Sequence, residues 1–504
     1  MKLPTELQHS LKVVPLELRD EHNRLMLDDS PLSAFLAQRL RPVYRFVPGL
    51  GWHRYNGKVW RNVADDRLTE EVQKQLTDLF ALEATQADSD RRKRLAGLLS
   101  SARVRAVKGL LRGLLLEDAG SFDSVEHAHL LNCRNGVLDL RTGELRPHDP
   151  DLLFTKLTRA AYVPDARHPD WDEALRALPD EQVRQWLQTK LGQAATGQPP
   201  TDDVLPVLFG DGSNGKSTVL AFRYALGDYA NTVPERLLTA RPSDHPTELT
   251  TLRGLRCGVL EELPEGVFSV RRLKALLGTS EVSARKTGQD NITWSATHSL
   301  VISTNYRPRV LETDHGTWRR LALVTFPLRY LPTDKPLERE NDRHGQAGLR
   351  ERLERGREQQ EAVLAWLVEG ARRVYDGTDE QQVVPLPARV QLDTTDWRNN
   401  VDLLALFAES ELAFDAASSV LSRDLFDEFT KFLASHGHAK WSDQTFTEKL
   451  ATHDLAHRHG LTKTRTRPKQ LSWPSWQKNP TRPKDKVSQW HGVRFRTAED
   501  DLDE

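Results

Sequence analysis

VLPVLFGDGSNGKST, residues 204–218, is an apolar run of strand length that gives way to a glycine-rich turn and then to the start of a helical pattern. The run Val204 to Phe209 reads as a buried strand, and Ser217 to Leu226 reads as the helix after it. Between them the spacing Gly210, Gly215, Lys216, Ser217 satisfies the template of a phosphate-binding loop. Each residue type has a reason to be there. Glycines let backbone N–H groups wrap a phosphate, a helix N-terminus adds positive potential, a lysine reaches the terminal phosphates, and a hydroxyl ligates magnesium. Gly210, Gly212, Ser213, Asn214, Gly215, Lys216, Ser217 and Thr218 are the expected nucleotide contacts, with ATP and Mg2+ as cofactors and Ser217 as a metal ligand.

Working outward, the next apolar run, Leu255 to Leu260, ends in Glu261-Glu262. A nucleotide hydrolase needs such a pair of acids, one in the magnesium shell and one to polarise the attacking water. Glu261 is expected in the first role and Glu262 in the second. A third run, Ser299 to Ser303, leads to Thr304-Asn305, where an amide can hold the lytic water or touch the γ-phosphate. Trp318-Arg319-Arg320 precedes a fourth run, Leu321 to Phe326, so one guanidinium there can serve as an arginine finger in a neighbouring subunit. Ser283 to Lys286 and Asn291 to Trp294, flanking Thr287-Gly-Gln-Asp290, carry a β-hairpin signal.

The 504 residues predict about three domains. With 38% hydrophobic and 28% charged residues and no bilayer-length apolar run, the composition is globular, without a membrane span or secretory signal, and a cytoplasmic location is expected. Cys133 and Cys257 are too few for a disulfide framework or a cysteine zinc site and read as inert buried thiols. A net charge of -1 argues no nucleic-acid partner by itself, so local patches must do so. One lies between Arg91 and Arg112, without an acid. Between His457 and Lys486 nine Lys or Arg residues, including Arg465, Arg467 and Lys469, stand against the single acid Asp485, with Trp473 and Trp476 among them as stacking platforms. Val137 to Leu140 and Glu144 to Arg146 form a strand pair, Ala160 to Trp171 reads as a linker, Glu181 to Ala194 and Arg350 to Tyr375 as helices, and the acidic end of the chain as a disordered tail.

The order of these motifs resembles the superfamily III DNA helicases, in particular the phage and plasmid primase-helicase branch related to the poxvirus helicase-primase. The resemblance runs through GDGSNGKST, LRGLRCGVLEELPEG, LKALLGTSEVSARKTGQD, THSLVISTNYRPRV and DHGTWRRLALVTFP, and LLNCRNGVLDLRTGELRPHDP is similar to the domain preceding the ATPase. It implies an α/β fold: an AAA+-like P-loop ATPase core over 181–385, an α+β N-terminal domain over 1–180, a winged-helix-like DNA-binding domain over 386–496 and an acidic tail over 497–504. It implies Glu262 as the Walker B acid, Asn305 as sensor, Arg320 as finger, and a homo-hexameric ring on single-stranded or forked DNA with Arg285 and Lys286 on a channel hairpin. Longer relatives carry a primase domain; this chain has neither room nor cysteines for one, so primer synthesis is not expected of it alone, and a primase or loader acts in trans. The competing readings are a P-loop kinase and an ATP-regulated origin-recognition or packaging factor that separates no strands.

Overall fold

Four apolar runs of the middle of the chain, with one short polar strand at an edge, assemble into one parallel sheet. The computed structural model describes residues 26–85, 87–239, 246–261, 270–285, 292–308, 310, 315–376, 385–435, 440–468, 470–474, 477, 482–497 and 500. The strands are Leu205–Phe209 (β1), Ala230–Thr232 (β2), Cys257–Glu261 (β3), Ser299–Thr304 (β4) and Leu321–Thr325 (β5), in the spatial order β5-β1-β4-β3-β2. All neighbours are parallel, which puts the ends of β1, β4 and β3 side by side, with Phe209 opposite Thr304 and Glu261 opposite Ser303. Pro206 is tolerated in this central strand because the ladder with β4 begins only at Val207.

The sheet is buried on both faces, which is why its strands read as unbroken apolar runs. Leu208, Val259, Val301 and Val324 belong to one core, with helices Glu181–Gln193 and Arg357–Asp376 over it. Val207, Leu260, Ile302 and Leu323 belong to the other, capped by helices Val270–Leu277 and Ala388–Val401. Over the first face Glu181–Gln193 and Arg357–Asp376 cross so closely at Gly192 and Gly370 that a Cβ on Gly192 would lie 2.3 Å from the Ala371 nitrogen.

The N-terminal module joins helices Asp29–Leu40, Asp65–Ala84 and Ser101–Leu114 to a three-stranded antiparallel sheet, Tyr44–Val47, Gly51–Tyr55 and Trp60–Val63. Leu68, Val72, Leu76 and Leu79, at helical spacing, fill its core. The expected strand pair forms as Gly136–Asp139 against Leu145–Arg146. The C-terminal module packs helices Leu403–Glu411, Ser422–Ser435, Asp443–Thr452 and Asp454–His459 on a four-stranded sheet around Phe407, Phe429, Phe446 and Trp490.

Several expectations give way. Residues 160–171 do not link separate bodies: Ala160, Tyr162 and Trp171 are buried in the core beneath the phosphate loop, because Trp171 stacks edge-on against Trp366 at 5.2 Å. The boundary expected at 180 is therefore crossed by packing. The boundary at 385 also moves, since helix Ala388–Val401 buries Trp397 against Trp318, and Thr394 Oγ1 accepts from the Leu323 amide at 2.9 Å. The helix expected over 217–226 is two pieces, Lys216–Val219 and Phe222–Leu226, because bonding shifts to i→i+3 between them, as in Ala221 N–H to Thr218 O at 3.2 Å. Of the tail expected to be disordered, residues 498–499 and 501–504 lie outside the described residues, and Asp500 is held by Arg494 and by the Thr497 amide at 2.7 Å. Burial pushes the thiols of Cys133 and Cys257 up to about 12, in line with inert cysteines.

Candidate nucleotide and nucleic-acid sites

The loop from Gly210 to Ser217 leaves β1 at the edge where β3 and β4 also end, the crevice in which open α/β sheets bind ligands. Its backbone requires its glycines. Gly210 has φ +155°, and a Cβ there would meet the Asn214 amide nitrogen at 2.3 Å; Gly215 has φ +87° and abuts Ala177. Ser213, at φ +61°, is a non-glycine residue held left-handed, and its carbonyl accepts from the Tyr330 amide at 2.7 Å. Gly212, Ser213 and Ser217 are exposed, Thr218 is half-buried, and Asn214 and Lys216 are buried.

Lys216 is the centre of the site. Its Nζ donates to Gly210 O, to Asn305 Oδ1 at 2.9 Å and to Asn214 Oδ1 at 3.4 Å. All three acceptors are neutral. Burial lowers its pKa to about 8, while nearby Asp211 pulls the other way. The Nδ2 of Asn214 is buried without a partner among the described residues. An ammonium bonded to no described carboxylate and a donor with no described partner on the same loop fit an anionic, phosphate-bearing group. Beside the loop lies a cleft of about 560 Å3, lined by Ala174, Ala177, Ser213, Tyr330 and Leu349 among others.

The remaining expected residues are distributed as follows. Asn305 lies next to the loop, in contact with Lys216. Glu261 ends β3 and is paired with Arg223, and the Thr232 hydroxyl donates to it at 3.4 Å. Arg320 does not reach outward: it donates to Gly316 O at 2.5 Å and to Asp203 at 3.0 Å within its own chain, while Arg319 is exposed. Glu262, Lys286 and Lys469 lie outside the described residues, as do Trp476 and the turn 287–290. The hairpin forms from Glu281–Ala284 and Ile292–Ser295, its first strand two residues earlier and its second one residue later than the sequence signal, with Arg285 exposed beside the first. It packs its own small core, Val282, Ala284 and Trp294, and leans Ile292 on the N-terminal module 3.5 Å from where a Gly49 Cβ would sit. Sequence reasoning missed Arg223, Asp203 and Tyr330, whose partners are remote along the chain or backbone atoms.

The two basic stretches differ. In the first, Arg91 pairs with Glu83, Lys93 with Asp90, Arg103 with Asp29, and Lys108 and Arg112 with Asp65, so most of its charge is spent inside the N-terminal module. In the second, Arg465 and Arg467 are exposed and meet no carboxylate among the described residues. Among the described residues no cluster of His, Cys, Asp and Glu could hold a metal ion, and no helix is long and apolar enough to cross a membrane.

Residues 33–190 match the family described as D5 N terminal like. That stretch spans the N-terminal module and extends to helix Glu181–Gln193. Curated relatives include a protein of Acanthamoeba polyphaga mimivirus named "Putative helicase", 27% identical over 216 residues, 41% of this chain and 22% of that protein. A protein of African swine fever virus named "Putative primase" is 28% identical over 221 residues, 41% of this chain and 23% of its own length. Another "Putative helicase", from invertebrate iridescent virus 3, is 25% identical over 237 residues, 43% of this chain and 24% of that protein. The chain spans less than a quarter of these relatives' lengths. A solved structure of the C-terminal region of NrS-1 aligns at 11% identity with a TM-score of 0.45, covering 86% of this chain and 87% of that one.

Proposed function

We propose that this chain is an ATP-driven DNA helicase of replication, working as a homo-hexamer on single-stranded or forked DNA, with a primase or loader supplied in trans. The observation that carries the reading is the ammonium of Lys216, held by three neutral oxygens, with no carboxylate bonded to it among the described residues, at the head of a loop where β1, β3 and β4 end together. The five-stranded order, the match of residues 33–190 and the replication-type names of the viral relatives support it.

In this reading the amides of Gly212 to Lys216 and the Asn214 donor bind the phosphates, and Lys216 turns from its carbonyl partners to the β and γ oxygens. Mg2+, held by Ser217 and the Glu261 shell, would supply charge neutralisation on the transferring phosphoryl group. Magnesium binding at Glu261 has to compete with Arg223. Glu262 takes the proton of the attacking water, and Asn305, once Lys216 leaves its amide oxygen, is free to orient that water and report the γ-phosphate. Arg319, open to solvent, is the guanidinium able to complete a neighbour's site, a role the sequence alone would assign to Arg320. Arg285 and Lys286 grip DNA from the hairpin.

ATP hydrolysis with and without single-stranded DNA, and strand displacement on a fork, test the reading together. Lys216→Ala should abolish both, and Glu262→Gln should bind ATP yet hydrolyse it roughly 10² to 10⁴ times more slowly. Turnover in Lys216→Ala at the wild-type rate would end the assignment. Hydrolysis indifferent to DNA, with phosphate passed to a small acceptor, would favour a kinase.

A further inference from the structure

The four-stranded sheet of the C-terminal module ends on strand Thr462–Thr466, which among the described residues pairs only with Val487–His491, leaving the other side of its backbone without a described strand beside it. All five of its residues are exposed. Side chains alternate along a strand, so Lys463 and Arg465 lie on one side roughly 6.7 Å apart, with Arg467 just past the strand's end. Lys463 is oriented by Thr447 Oγ1 at 2.9 Å and lies over the Trp490 ring at 5.9 Å. Arg465 and Arg467 stand in solvent without an acid among the described residues.

Helix Asp443–Thr452, the element a winged-helix module would lay into a major groove, has the opposite character. Its exposed residues include Asp443, Gln444 and Glu448, with Gln444 donating to Glu448 at 2.9 Å. Its one cation, Lys449, lies over Trp441 at 4.9 Å. Two exposed carboxylates, with the helix's lysine engaged on a ring, suit this helix poorly to a duplex groove flanked by phosphates.

We propose that the C-terminal module binds single-stranded nucleic acid by its phosphates along Arg465 and Arg467, at the end of the edge strand Thr462–Thr466, without helix Asp443–Thr452 entering a duplex groove. The inference rests on the reading of the chain as a DNA-translocating ATPase and deepens it by naming the strand, the nucleic-acid form and the absence of base reading. A row of cations on one sheet edge tracks one backbone; it has no means of reading base edges.

The test uses the full chain, fluorescent oligo-dT and a duplex of equal length, with affinity followed by anisotropy across a salt series and binding of a fluorescent ATP analogue measured in parallel. Arg465→Glu with Arg467→Glu should weaken oligo-dT binding roughly tenfold or more and flatten the log-log salt slope by about 1.4, at about 0.7 per lost contact. Arg465→Lys with Arg467→Lys should keep the slope, because phosphate neutralisation needs only the charge. Asp443→Asn with Glu448→Gln should leave oligo-dT affinity within about twofold. Unchanged affinity in the charge-reversed pair, with circular dichroism intact, overturns the proposal. So does a duplex bound more tightly than oligo-dT with dependence on the helix, or binding of an acidic peptide in place of DNA. Failure of the ATPase reading shows separately, as no analogue binding by the wild-type chain.

Discussion

At the scale of single residues, Lys216 combines two demands that conflict without a ligand. It must be charged to bind phosphate, yet burial among neutral oxygens lowers its pKa from 10.5 to about 8. Below pH 8 the ammonium is ready; above it the free site loses its proton, and an incoming phosphate must restore it. Nucleotide affinity should therefore be flat up to about pH 8 and fall above it, with proton uptake on binding in the upper range. The folding linkage has the opposite sign. Between about 8 and 10.5 the unfolded lysine holds more protons than the folded one, so this residue's contribution to stability rises with pH across that window. Calorimetric titrations in two buffers of different ionisation enthalpy, at pH 7 and pH 9, check the first claim, and an affinity independent of pH over that range would sink it. The loop's left-handed glycines between a strand and a helix were legible in the sequence because a strand, glycine-rich turn and helix form a local motif. The Arg223–Glu261 and Arg320–Asp203 pairs were not, since each joins residues that only the sheet order brings together.

At the scale of elements, the crossing of Glu181–Gln193 with Arg357–Asp376 depends on two hydrogen atoms where a side chain would ordinarily stand. A Cβ on Gly192 would meet the Ala371 nitrogen at 2.3 Å, and one on Gly370 would meet Gln188 O at 2.1 Å. Gly192→Ala must push the helices apart along the face that carries Leu187 and Leu191, and overpacking of this kind costs about 1 to 3 kcal/mol. The usual gain from alanine in a helix, under about 1 kcal/mol, does not offset it. A lower urea midpoint at unchanged m-value is the expected result, and a midpoint at or above wild type would contradict it. These helices were readable from their periodicity, as the strands were from their apolar runs. Their closeness was not, because glycine inside a helix pattern looks like a weakness until its neighbour across the groove is known. The same limit misread 160–171: prolines and polar residues argued for a linker, and Tyr162 and Trp171 found partners that only folding supplies.

At the scale of the whole molecule, Arg319 and Arg320 have different surroundings, and in the proposed ring only Arg319 would face a neighbouring chain. Arg320 is tied to Asp203 and Gly316 at the entrance of β5, and Arg319 faces outward. In a ring, Arg319→Ala and Lys216→Ala proteins, each inactive alone, should recover part of the ATPase rate when mixed, since some interfaces then hold both intact parts. Lack of recovery, with mixing verified by differently tagged subunits, would argue against a site shared between subunits. Domain limits were the least legible feature at this scale, because composition changes smoothly where packing does not. Helix Ala388–Val401 illustrates it: after the sheet has ended in sequence, the chain returns and sets Trp397 on Trp318, with its indole N–H on the Pro308 carbonyl at 3.1 Å. A protease or an early stop that ends the chain at residue 385 thus uncovers Leu321 and Leu323 on the outer strand and Trp318 on the short helix before it. Such a fragment would carry a sticky apolar strip and clump in solution, whereas one ending beyond residue 401 keeps its seal.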